Sequence, residues 1–178
     1  MTHNKPGSAN GALKHNPKHA ALDICFGEKT LVAPRVFGFI RFGNAVLLCN
    51  GQRTESDRLG FISVQPLEDE DAFTAIGRVT REKIGLELTN FGVARFVVDG
   101  EAHPYVNQVV TCRASEGSIG ETPIGATFVS IDEVLRHQAI LRNGTPELLA
   151  QVATMGNGFG KFVQEASKQA GVPVLLSA

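Results

Sequence analysis

Two apolar, β-prone runs, VFGFIRF (36–42) and AVLLCN (45–50), flank Gly43-Asn44 and predict a β-hairpin. Asn50-Gly51 opens a polar loop. RLGFISVQ (58–65) then predicts a third short strand, ended by Pro66. From Glu68 the period changes. An acidic start, Glu68-Asp69-Glu70-Asp71, suits the positive end of a helix, and Phe73, Ile76 and Val79 or Thr80 recur at helical spacing. Gly85 is a natural stop, and Gly77 is a local cost inside the helix. LELTNFGVARFVVDG (86–100) and YVNQVVTCRA (105–114) predict two strands paired across GEAHP, and ATFVSI (126–131) another beyond a Gly-rich loop.

Three helices are predicted after that: DEVLRHQAI, with Ser130 or Asp132 as its cap; TPELLAQVATM (145–155), started by Thr145 or Pro146; and GKFVQEASKQAG (160–171). VPVLLSA is a short apolar tail. Strands, one amphipathic helix, more strands and C-terminal helices predict an α/β (α+β) fold, a mixed sheet sandwiched between helices. The polar, Gly/Pro/Asn-rich residues 1–20 predict a flexible N-terminal arm, and residues 21–178 a single domain, with no internal repeat.

Composition narrows the function classes. The formal net charge of −1 does not suggest a nucleic-acid backbone or an anionic membrane as partner. One tyrosine and no tryptophan argue against an extended nucleic-acid stacking platform. No run reaches bilayer length and the N-terminus lacks the apolar stretch of a signal peptide. Cys25, Cys49 and Cys112 lie far apart, which fits a reducing cytoplasm; Cys49 and Cys112 sit in apolar runs and read as buried thiols. His3, His15 and His19 lack ligand spacing, and no Ser-His-Asp or Cys-His arrangement follows from spacing.

Residues 64–86 resemble a degenerate Nudix box. The Nudix pattern is Gly, any five, Glu, any seven, Arg-Glu, apolar, any one, Glu-Glu, any one, Gly, apolar. Glu70, Arg78, Glu82, Gly85 and Leu86 agree without a gap. Val64, Val79, Thr80 and Lys83 depart from it. FVSIDEVL (128–135) is similar to the strand-to-helix passage that often closes these domains, and the resemblance spans roughly residues 36 to 155.

The resemblance implies a Nudix-like fold and a pocket for a nucleoside-diphosphate-linked compound. It makes Glu70, Arg78 and Gly85 structural. Positions 79, 82 and 83, three and four apart, share one helix face, where carboxylates can hold magnesium for attack by water on a diphosphate. Here only Glu82 remains as catalytic and metal-binding carboxylate. Lys83 puts an ammonium beside it, and two unit charges about 4 Å apart interact by roughly 4 kcal/mol near a protein surface. Magnesium would be weakly held, and standard metal-dependent hydrolysis is expected to be impaired. Lys83 is either a solvated residue near the helix C-terminus or a direct ligand of a diphosphate.

Arg95, Phe96 and Tyr105 are candidate substrate-binding residues, with Tyr105 or Phe96 stacking a base, though sheet packing explains the aromatics equally well. The acidic run 68–71 is a solvated helix start or a source of a replacement metal ligand. Glu101 and His103 are loop residues or an acid and base near substrate. GNGFGK (156–161) lacks the phosphate-loop pattern and reads as a flexible helix connection. Two further readings stay open, a catalytically inactive nucleotide-sensing or protein-interaction module and an unrelated α+β domain. Homodimers are common among such folds, but no stretch marks an interface.

Overall fold

The computed structural model describes residues 35–50, 58–98, 105–118, 125–142 and 144–174. The expected N-terminal arm, Cys25 and His3, His15 and His19 lie outside these residues, as do Glu101 and His103.

The predicted hairpin forms: strand β1 (Arg35–Phe42) turns at Gly43, whose φ is 54°, into β2 (Ala45–Asn50). The predicted third strand is instead two short ones, β3 (Leu59–Gly60) and β4 (Ile62–Val64). They interrupt at Phe61 because they serve different neighbours: β3 pairs antiparallel with β2, and β4 antiparallel with β1. Helix α1 (Ala72–Ile84) follows, then β5 (Leu88–Val98), β6 (Tyr105–Ala114) and β7 (Ala126–Ser130). Among the described residues three α-helices follow: α2 (Ile131–Arg136), α3 (Thr145–Ala153) and α4 (Gly158–Ala170).

Among the described residues the sheet has seven strands in the order β3-β2-β1-β6-β5, with β4 on β1 and β7 on β2. It is mixed because β1 and β6 run parallel, in register from Arg35↔Asn107 to Arg41↔Arg113, while the other strand pairs are antiparallel. Period-two alternation divides its side chains between two cores. Val36, Ile40, Leu47, Ile62, Val110 and Cys112 pack with Ile76, Val79 and Ile84 of α1. Phe39, Val46, Leu48, Phe61 and Val109 pack with α2, α3 and α4 through residues such as Leu135, Leu149 and Phe162. This is the expected mixed sheet between helices.

Several boundaries differ from expectation. α1 begins at Ala72, past the acidic run, with no acidic residue in its first turn. The predicted 132–140 helix is α2 plus a separate one-turn 3-10 helix, Gln138–Ile140, with Ser130 as the cap of α2. α4 begins at Gly158 rather than 160, because Asn157 caps it by accepting from the Phe159 and Gly160 amides. The last four residues of GNGFGK are therefore helix. A Cβ at Gly160 would overlap the Met155 carbonyl oxygen, so glycine is required there for close approach rather than flexibility.

Candidate functional site

α1 is positioned by its own sequence. Asp71 caps it, its carboxylate accepting from the Thr74 amide at 2.8 Å. Gly85 ends it with φ 76°, its N–H donating to the Arg81 carbonyl at 3.0 Å. On the buried side, the Ile76 Cγ2 lies 3.2 Å from where a Gly38 Cβ would stand, so the helix rests directly on β1. Thr80, where the Nudix pattern has an apolar residue, is fully buried and donates its hydroxyl to the Ile76 carbonyl at 2.7 Å. Val64, where that pattern has glycine, lies in β4 opposite Val36.

Glu70 joins the preceding loop to the helix. Arg78 donates Nε to its Oε1 and Nη2 to its Oε2, both at 2.8 Å, and the Leu67 amide donates to the same Oε2 at 2.9 Å. The Glu70 side chain is 8% exposed, and the Arg78 hydrogen bonds hold its carboxyl below the usual carboxylate range. Of the acidic run, Glu70 and Asp71 are thus engaged in shaping the helix start. Glu68 and Asp69 are exposed in the turn, Asp69 with a left-handed φ of 64°.

The outer face of α1 differs from the expected one. Positions 79, 82 and 83 have the spacing of one face but not one environment. Val79 is 5% exposed and belongs to the core under the helix, whereas the Glu82 side chain is 60% exposed. Glu82 lies 3.7 Å from Arg78 Nη1, one turn back. Lys83 is exposed, and its charge acts on Cys49 of β2. Burial pushes the Cys49 thiol up to about 11 despite the opposing charges of Arg142 and Lys83, and pushes the fully buried Cys112 thiol up to about 12. Neither is a thiolate nucleophile near neutral pH.

A magnesium ion requires about six oxygen ligands in near-octahedral array. Among the described residues, no three His, Cys, Asp or Glu side chains gather to hold a metal ion. The outer face of α1 offers Glu82, already beside Arg78, and Lys83. These residues do not fit a resident magnesium ion.

The remaining expected site residues are described only in their backbone. Arg95 and Phe96 lie in β5, paired with Gln108 and Asn107, and Tyr105 opens β6 opposite Val98; their side chains lie outside the described set.

One feature escaped the sequence reading. Arg142 donates its backbone N–H to the Leu59 carbonyl and Nη2 to the Cys49 carbonyl, each at 2.7 Å. Its guanidinium lies where a Gly60 side chain would be, 2.7 Å from that Cβ position to Nε. With Arg58, Gln138, Gly144 and Glu147 it lines a depression of about 270 Å³. Arg142 sits in a loop with no motif around it, so spacing gave no signal; its partners are 83 and 93 positions away, at Leu59 and Cys49.

Among the described residues, no helix is long and apolar enough to cross a membrane. No protein-family model and no curated protein matches the sequence. In fold, the chain is similar to solved Nudix hydrolases. A NUDIX hydrolase from Nitrosomonas europaea shares 18% identity over 63% of this chain and 81% of its own, with a TM-score of 0.48. A UDP-X diphosphatase shares 16% identity over 63% of this chain and 58% of its own, with a TM-score of 0.46. The Ap4A hydrolase of C. elegans shares 10% identity over 60% of this chain and 86% of its own, with a TM-score of 0.44.

Proposed function

We propose that this chain is a Nudix-fold protein that binds a nucleoside-diphosphate-linked compound at the outer face of α1, with metal-dependent hydrolysis impaired. The observation that carries this reading is the contrast on one helix. The Glu70–Arg78 clamp and the Gly85 stop are present, while the exposed last turn offers one carboxylate, Glu82, and one ammonium, Lys83. The scaffold of the box is intact and its cation ligands are not. Lys83 is the group proposed to meet a phosphate oxygen directly, as a point charge. Arg95, Phe96 and Tyr105 are proposed to complete the pocket, Tyr105 or Phe96 against a base. A cytoplasmic location accords with this substrate class.

Titration with a nucleoside diphosphate, with and without chelator, tests the reading. Equal affinity in both, weakened in Lys83→Gln, is expected; binding that disappears with the chelator overturns it. The alternative activity, hydrolysis by water at phosphorus, is tested by following phosphate products from a panel of nucleoside diphosphate compounds with magnesium or manganese. Turnover abolished in Glu82→Gln establishes the enzyme. Silence across the panel together with ligand-dependent thermal stabilisation establishes a binding module.

A further inference from the structure

We propose that the depression at the head of α3 is a separate, metal-independent binding site for a phosphate-type oxyanion. Two guanidinium groups, Arg58 and Arg142, line it. Arg142 is fixed by the Leu59 and Cys49 carbonyls, and the absent side chain of Gly60 lets its guanidinium lie flat against β3. Its Nε is buried without a hydrogen-bond partner among the described residues. Arg58 takes part in a further interaction, so its contribution is charge as much as donor.

The third component is the helix end. α3 opens at Gly144, which brings no side chain to cap it, and Gly144 itself lines the depression. A helix N-terminus carries partial positive charge; here the Thr145 N–H is already donated to the Arg142 carbonyl at 3.0 Å and Pro146 has none, so at those two positions the helix end contributes potential rather than donors. A planar guanidinium fork matches the spacing of phosphate oxygens. Both sources of positive potential converge on one concavity. Gln138 adds a neutral polar group. Glu147 is the opposing charge on the rim, in the first turn of α3. A volume of about 270 Å³ suits a phosphoryl group and a few attached atoms rather than an entire nucleotide. The site uses none of the residues of the α1 outer face, so it does not depend on the function proposed above.

The test is an amide-resolved NMR titration of the full chain with inorganic phosphate and pyrophosphate, in chelator. Shifts at Gly144, Thr145 and Glu147 are expected. Affinity read at those amides should fall about tenfold or more in Arg142→Gln, as expected for a lost charge-assisted hydrogen bond. It should rise about threefold in Glu147→Gln, which removes the opposing charge. Gly60→Ala, whose methyl would stand 2.7 Å from Arg142 Nε and displace the guanidinium, should also weaken binding; a native amide spectrum recorded for this variant keeps the proposal testable should Arg142→Gln fail to fold. Shifts confined to residues 82–85 would overturn this site while supporting the α1 reading. Shifts at 144–147 without any at 82–85 would do the reverse. Unchanged affinity in both Arg142→Gln and Gly60→Ala would overturn the site, as would no response to either anion at millimolar concentration.

Discussion

Glu70 is the residue at which acid should first be felt. Its carboxyl is held low by Arg78 in the fold, while in the unfolded chain a glutamate titrates near pH ~4.3. A depressed group contributes stability that is complete above the unfolded value and lost as pH falls through the folded one. The unfolding midpoint should therefore drop more steeply below about pH 4 in the parent than in Glu70→Gln, with the difference between them constant above about pH 5. Parallel curves across the acid range would show that the pair contributes nothing. Position 79 gives the opposite lesson. Placing there the glutamate of the Nudix pattern puts a carboxylate in an apolar core at 5% exposure. Val79→Glu should cost on the order of 3 kcal/mol in denaturant melts at unchanged m-value. Lys83→Glu, on the exposed side, should cost about 0.3–1 kcal/mol through the helix dipole. The pattern match marks positions 79 and 83 as departures from the Nudix box; it does not reveal that one is buried and the other solvated, because spacing alone fixes angles and not what lies beneath the helix.

Among the elements, the amphipathic α1 and the alternating strands were legible because their periodicity is set by which face is covered. The division of residues 59–64 into β3 and β4 was not. Leu59, Phe61, Gly60 and Ile62 keep a continuous alternation, and the interruption arises only because β3 follows β2 while β4 follows β1. Phe61 marks the junction, packing edge-on against Phe39 at 5.5 Å. The start of α4 was misplaced for a related reason: glycines at 158 and 160 signal a loop locally, but Asn157 supplies a cap and the close approach of the Met155 carbonyl excludes a side chain at 160. Asn157→Ala should accordingly destabilise by about 1 kcal/mol. Gly38→Ala tests the seating of α1, since a methyl there would stand 2.8 Å from Ile62 Cγ2 and 3.2 Å from Ile76 Cγ2. Overpacking of this kind costs about 1–3 kcal/mol, read by thermal or urea unfolding. It should also lower affinity for any compound held on the outer face of the same helix.

For the whole molecule, the mixed sheet between two helical layers followed from the order of elements, whereas the cationic depression did not. Arg58, Arg142 and Gly144 are unremarkable in sequence and meet only because Leu59 and Leu141 are bridged across the fold. Ligand linkage provides the test at this scale. A nucleoside diphosphate present at about one hundred times its dissociation constant should stabilise the chain by about 2.7 kcal/mol, and do so equally with and without chelator. A melting temperature that rises only when magnesium is supplied would return the protein to metal-dependent chemistry.

The parallel pairing of β1 with β6 has a kinetic consequence. It joins positions about seventy residues apart, at the centre of the sheet. During synthesis the hairpin emerges first, and its inner edge waits until the chain beyond residue 113 has left the ribosome. Contacts so remote in sequence slow folding, since chain entropy is lost before they form. Nascent chains arrested before β6 should be cut readily by protease, and those extended past α4 should resist it.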